Sequence, residues 1–431
     1  MASFFLLATA LLLSSGCDES SHDEGIPVLA LSAEKLTFIV DEDGSNPTAQ
    51  AVDITNTGSG TLGWTLATDA SWLSVTPSSG DTGTETDTIS VDVDFAGLSA
   101  GRHAAAVTIS ASDATVETQK VHVTLFVIPG SGITPVFVSF ASHNEDDERY
   151  DMYDTQDGYE GMREAILKMM DVVQTHDIPF DFQPDWRFLQ AIKRWETDAL
   201  VATTNNKNIL RHLKEDLGVS IDPHSHECAT ASDSAKTNNP DFADGCNYAD
   251  VAYLIEELGV NPAPIVGGFI VNPPSNAIWE KFRSPLRGLV SPDYHWQAES
   301  LWGGGSPQHI DDPQFSGLWL PMDHFNFATD DPSQNLPNIG NGGAAPIQDL
   351  INRIETGQAP TGRIYTWTHM EFELNFYVNG DSALTAFERT LTQLAPYANQ
   401  GKVIYATLPE ILEIWRSVYN SEPNIYDRSP P

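Results

Sequence analysis

The chain has 431 residues, room for two or three domains. Its 41% apolar and 10% aromatic content, with 27 prolines and 31 glycines, excludes wholesale disorder, a collagen or a peptide factor. Lys and Arg number 22 against 60 Asp and Glu, a formal charge of −38 that repels phosphate backbones and argues against a nucleic-acid partner, while suiting a solvated surface in a saline exterior.

Residues 4–13 are an apolar run half as long as the ~20 residues a membrane-spanning helix requires, and small residues follow it. Residues 1–17 therefore read as a signal peptide. Its end, Ser14-Ser15-Gly16-Cys17, resembles the lipobox of bacterial lipoproteins. That resemblance implies an acylated Cys17, membrane contact through an N-terminal lipid only, and a place in the bacterial cell envelope, on the periplasmic or cell-surface side. An ordinary secretory signal is the alternative, and it exports the chain too. Two other cysteines, Cys228 and Cys246, then remain in a compartment where disulfides persist, and they are expected to pair. A structural zinc site using both cysteines with His224 and His226 is the rival reading.

Residues 18–27 are acidic and serine-rich and read as a tether. From residue 28 to 127 the period is two: Leu36/Phe38/Val40, Val52/Ile54, Ile89/Val91/Val93, Val107/Ile109 and Val121/Val123/Leu125 alternate with polar residues. About seven short strands in such a stretch predict a β-sandwich. The segments Ser71-Trp72-Leu73-Ser74-Val75-Thr76-Pro77-Ser78-Ser79-Gly80 and Gly97-Leu98-Ser99-Ala100-Gly101 resemble the BACON domain of secreted bacterial proteins, which implies an immunoglobulin-like sandwich. Trp72 is expected in the core of this domain rather than on a sugar-binding face, and the domain is expected to act as a spacer.

Residues 128–134, containing Pro129-Gly130-Ser131-Gly132, read as a linker, after which strand and helix patterns alternate to the C-terminus. Residues 136–141 are a continuous apolar run, as in a strand buried on both faces, and residues 159–175 have helical spacing. Further strands are predicted over 219–224, 265–271, 363–369 and 403–406. Helices are predicted over 187–194, 209–217, 248–258 and 408–418. Such alternation over 133–431 predicts a parallel sheet, open or closed into a barrel. Residues 291–346, rich in Gly, Pro, Asn and Asp, interrupt it as a long loop.

Titratable residues concentrate where these strands end. The first runs into Ser142-His143-Asn144-Glu145-Asp146-Asp147 and a later one into Asp222-Pro223-His224-Ser225-His226-Glu227. Residues two apart on a strand point the same way, so His224 and His226 can meet one ion, with Asp222 as a further ligand or orienter. In this order the clusters resemble the polysaccharide deacetylase superfamily, which implies a distorted (β/α) barrel over 135–431. The resemblance implies Glu145 as general base, Asp146, His224 and His226 as metal ligands, and His369 of Thr366-Trp367-Thr368-His369 as general acid. The implied cofactor is a divalent metal, zinc first, with cobalt, nickel or manganese as alternatives. Strand parity offers a second arrangement, with His143, Glu145 and Asp147 turned inward.

The chemistry expected is hydrolysis of acetyl groups on a polysaccharide or amino-sugar glycan, with Trp296, Trp302 and Trp319 offering indole faces for sugar rings or serving as buried loop anchors. A glycan-binding adhesion lipoprotein without turnover is one alternative. Another is a glycosidase on the same barrel, using Glu145 with a distant carboxylate such as Asp323.

Overall fold

The computed structural model describes residues 26–111, 114, 118–130, 132–144, 152–225, 247–267, 285–303, 317–320, 325–326, 339–340, 342–359, 362–422 and 426–427. The N-terminal strands are β1 (Leu29–Leu31), β2 (Lys35–Asp41), β3 (Gln50–Asn56), β4 (Leu62–Thr68), β5 (Leu73–Thr76), β6 (Ser79–Thr82), β7 (Thr86–Val93), β8 (Gly101–Ser110) and β9 (Thr118–Ile128). They form two sheets, ordered β1-β3-β7-β5 and β2-β9-β8-β4-β6, and every pairing is antiparallel except β2 with β9.

Each alternating apolar set anticipated from the sequence is buried between the sheets, which is the expected β-sandwich. The fully buried indole there is that of Trp64, whose Nε1 donates to Thr82 Oγ1 at 2.9 Å and to Asp87 Oδ2 at 3.2 Å. Trp72 is only half-buried against that core.

The second part is organised around β10 (Val136–Asn144). On one edge it pairs in parallel with β20 (Tyr365–Phe372). On the other it pairs in parallel first with β21 (Val403–Tyr405) and then with β11 (Asp181–Pro184). The latter continues to β12 (Ser220–Ile221), and β20 continues to β19 (Ile339–Gly340), all parallel. A parallel bridge between His224 and Gly267 leads on to β13 (Ile265–Val266), itself parallel to β16 (Ser300–Gly303). Antiparallel β17 (Gly317–Leu320), β18 (Phe325–Asn326) and β22 (Tyr426–Asp427) follow, and β14 (Leu286–Arg287) pairs separately with β15 (His295–Trp296).

The parallel sheet was foreseen; its closure into a barrel is not found among the described strands. The outer strands β19 and β16 do not pair with each other, and most of residues 304–341, which lie between them, fall outside the described residues.

Helices form where caps and apolar spacing coincide. Helix α1 (Gln156–Thr175) is capped by Thr155 Oγ1 accepting from the Gly158 amide, and buries Tyr159, Met162, Ile166, Met169, Met170 and Val173. Helix α2 (Trp186–Trp195) is capped by Asp185, and α3 (Tyr248–Glu257) by Asn247 with Asp250 in a reciprocal box. Helices α4 (Ala345–Glu355), α5 (Glu373–Asn379), α6 (Asp381–Ala398) and α7 (Leu408–Val418) follow, and a single helical turn spans Asp198–Val201. The helix anticipated over 209–217 is instead a short α turn, Ile209–Arg211, followed by a π turn, His212–Asp216. Among the described residues no helix is long and apolar enough to cross a membrane.

The sandwich is not a detached spacer. Phe126 and Ile128 of β9 share one apolar cluster with Phe137, Ile265, Trp302, Ile404, Leu408 and Ile411. At the same seam, buried Glu410 of α7 accepts from Lys35 Nζ at 2.7 Å and Thr124 Oγ1 at 3.1 Å, both from the sandwich. Arg102 Nε lies 3.9 Å from its other oxygen. Burial works to raise the Glu410 pKa, but the Lys35 and Arg102 charges outweigh it and hold the group at about 2. The anticipated linker at 128–134 therefore begins inside β9, at a buried residue.

Candidate functional site

Strand parity sorts the central sheet into two faces. Val136, Val138, Phe140, Phe180, Phe182, Ile221, Tyr365, Trp367 and Val403 lie on the face covered by α1 and α6. Phe137, Ile364 and Ile404 lie on the other, toward the seam. Register then assigns the polar residues. Ala141 pairs with Asp181 and His143 with Gln183, while Asp181 pairs with Ser220, so His143, Asp181, Gln183, Ser220 and Asp222 share the seam face.

Toward the carboxyl ends of these strands, where parallel sheets place their ligands, two imidazoles meet. The rings of His143 and His224 lie 4.2 Å apart between centroids at 41°, and the edge of Trp302 closes on His143 at 5.1 Å and 82°. All three side chains are buried. The His224 amide donates to Pro184 O at 3.1 Å, and the Gly267 amide donates to Pro223 O at 2.9 Å, which holds this end of the chain between its neighbours. Glycine is required at 267: a Cβ there would lie 2.2 Å from Gln183 Oε1.

Behind the imidazoles sit two buried carboxyl groups. Asp222 accepts from Ser220 Oγ at 2.7 Å and from Gln183 Nε2 at 3.2 Å, and Asp181 accepts from the Leu408 amide at the start of α7 at 3.0 and 3.1 Å. Burial pushes the pKa of Asp181 well above the ordinary carboxylate range, and the charge of Asp222 adds to it. Burial raises Asp222 as well, against the hydrogen bonds from Ser220 and Gln183. Both carboxyls are thereby shifted toward their neutral forms, because two adjacent anions in a dry interior are costlier than one. The sequence reading passed over Asp181, although a carboxylate between Phe180 and Phe182 in an apolar strand was a visible signal.

The structure treats the expected site residues unequally. His224 lies on the same face as Asp222, and His143, one of the three residues of the parity arrangement, meets it there. Glu145, Asp146, His226, Cys17, Cys228, Cys246 and Asp323 lie outside the described residues. His369 does not converge with His224. It is in register with Phe140, its ring 5.4 Å from that phenyl, and Phe140 packs on Phe387 of α6 on the opposite face of the sheet. There His369 Nε2 lies 2.8 Å from Glu371 Oε1, while its Nδ1 is buried without a hydrogen-bond partner among the described residues.

Trp302 is 1% exposed, so it walls the histidine pair and cannot stack a sugar. Trp296 is half-buried, edge-on to Tyr248 at 5.8 Å and 73°. Trp319 is in β17, paired with Leu301.

One comparison with known proteins bears on the sandwich. Residues 28–122 match a family model described as the viral BACON domain. The BACON-like match ends before the strands that carry the candidate site. No curated protein matches the chain. Among solved structures, the periplasmic chaperone SfaE is similar at 16% identity and a TM-score of 0.20, over 25% of this chain and 61% of that one. A protein of unknown function from Porphyromonas gingivalis W83 is similar at 20% identity and a TM-score of 0.21, over 24% and 47%. The PapD-like domain 7 of human CEP192 is similar at 12% identity and a TM-score of 0.21, over 29% and 99%. The chain spans about half to three fifths of the length of the first two of these structures.

Proposed function

We infer that the chain is an exported, lipid-anchored, metal-dependent hydrolase that removes acetyl groups from a glycan, its parallel sheet forming part of a distorted (β/α) barrel. The observation that carries this reading is the His143–His224 pair, two buried imidazoles 4.2 Å apart near the carboxyl ends of β10 and β12, the strands on either side of β11. Imidazole donors side by side suit a borderline divalent ion such as zinc, with cobalt, nickel or manganese as alternatives. Among the described residues no group of three or more His, Cys, Asp or Glu completes a ligand set. The remaining ligand in this reading is Asp146 or His226, each within three residues of a described histidine.

A divalent ion, when bound there, polarises an acyl carbonyl and acidifies a water. The chain's own residues would do the rest. His143 and His224 hold the ion, Trp302 shields one edge of His143 from solvent, and Glu145 takes the proton from the attacking water. His369 lies on the other face of the sheet and takes no part at the histidine pair, and the upward shifts at Asp181 and Asp222 reduce the negative charge behind the imidazoles.

The test is metal analysis of the purified chain together with acetate release from N- and O-acetylated glycan oligomers. One equivalent of divalent metal, lost with activity in His224→Ala, supports the reading. Tight glycan binding without acetate release would instead mark an adhesion lipoprotein, and cleavage of the glycan backbone without metal a glycosidase. A chain that binds no metal ends the proposal.

A further inference from the structure

The seam between the sandwich and the α/β part encloses a cavity of about 620 Å³, walled by β8 and β9 on one side and by residues 174–180 and 207–219 on the other. That volume suits a small molecule. Its charge contrasts with that of the chain. Acids outnumber bases 60 to 22 overall, yet the wall holds Lys35, Arg102, Lys120, Lys207, Arg211 and Lys214.

Most of the carboxylates beside them are occupied. Glu215 and Asp216 are taken by Lys207 and Arg211, and Asp69 accepts from the Ala106 amide at 2.8 Å. Glu34 reaches Asn261 at 3.4 Å, and Asp177 is exposed at the margin. Lys35 and Arg102 turn to Glu410. Lys120 and Lys214, from opposite walls, make no ion pair among the described residues. His122 stands beside them, its Nε2 3.3 Å from Glu215 O.

Burial first, and then the Lys35 charge, hold Lys214 below the ordinary lysine range against the opposing charges of Glu34 and Asp222; burial, with Lys120, Lys214 and Lys35, lowers His122 against its contact with Glu215 O. Closely spaced cations facing a cavity, with too few counter-charges, are stabilised by an anion that supplies charge-assisted acceptors.

We propose that this cavity binds a small, multiply charged oxyanion, a phosphate or carboxylate compound, through Lys214 of the α/β part and Lys120 and His122 of the sandwich. The ligand would thereby tie the two parts together, at a place separate from the histidine pair.

The experiment is calorimetric titration of the full chain with inorganic phosphate and, separately, with citrate, at an ionic strength held constant with sodium chloride. Saturable binding of one equivalent of either probe is expected. Binding of one probe alone identifies the phosphate or the carboxylate source, and binding of both supports the shared chemistry. Lys214→Gln should weaken binding about tenfold, the loss of one charge-assisted contact. Lys168→Gln, an exposed lysine paired with Glu164 on α1, should bind as the parent does. If Lys214→Gln fails to fold, Lys120→Gln, an exposed position, carries the test, with a loss of several-fold expected. No saturable binding of either probe up to tens of millimolar, or unchanged affinity in the folded lysine variants, overturns the proposal.

Discussion

Glu410→Gln removes one negative charge from the centre of the seam and almost nothing of its shape. The native carboxylate is 1% exposed, accepts from Lys35, Thr124 and the Thr407 amide, and lies near Arg102. Holding it at about 2, against an ordinary value of 4.5, corresponds to about 3 kcal/mol at roughly 1.4 kcal/mol per pH unit. The side chain of Lys35 is 35% exposed, so solvent relieves part of the loss when its partner goes, and the amide keeps the contacts to Thr407 and Thr124. A net destabilisation of about 2 to 3 kcal/mol is expected, near the lower end for breaking a buried pair. Urea unfolding at pH 7, followed by tryptophan fluorescence, measures it. Because the folded group titrates below the unfolded one, the advantage is whole above the unfolded pKa and is lost as pH falls toward 2. The gap between parent and variant should thus shrink to roughly half near pH 3. A gap below about 1 kcal/mol at pH 7, or one that acid leaves unchanged, would refute the electrostatic account of the seam.

Removal of residues 1–130 should destabilise the remainder and make it aggregate, because Phe126 and Ile128 leave a shared core and Glu410 loses both cations; a melting curve matching that of the full chain would restore the spacer reading. His143→Ala and His224→Ala should each lower metal content and acetate release together, whereas His369→Ala should leave the metal in place, as elemental analysis of the three variants will tell. Trp302→Ala should cost about 3 to 5 kcal/mol of stability, the usual price of emptying a fully buried aromatic site, and a variant with parental stability but poorer glycan affinity would contradict its placement in the core.

Local patterns were enough for much of the architecture. Period-two alternation in 28–127 marked the strands whose apolar sides fill the sandwich, and the helical patterns over 248–258 and 408–418 marked the segments that form α3 and α7. These features are legible because a strand's faces alternate and a helix's apolar face recurs about every 3.6 residues, whatever the chain does elsewhere. The shared face of Asp222 and His224 was legible for the same reason. The actual neighbour of His224 was not, since His143 reaches it only through the register of β10 with β11 and of β11 with β12, across 81 positions of sequence. The same limit explains His369. Its place late in a strand pointed to the site, but the face it occupies depends on pairing with Phe140, which no pattern within β20 encodes. Trp302, Asp181 and Glu410 are alike in this respect: each owes its burial and its charge state to groups brought from distant segments. Side-chain alternation is a property of one strand, whereas burial, ion pairing and proton affinity depend on which other strands and helices close over it, and that is decided only when the tertiary structure forms.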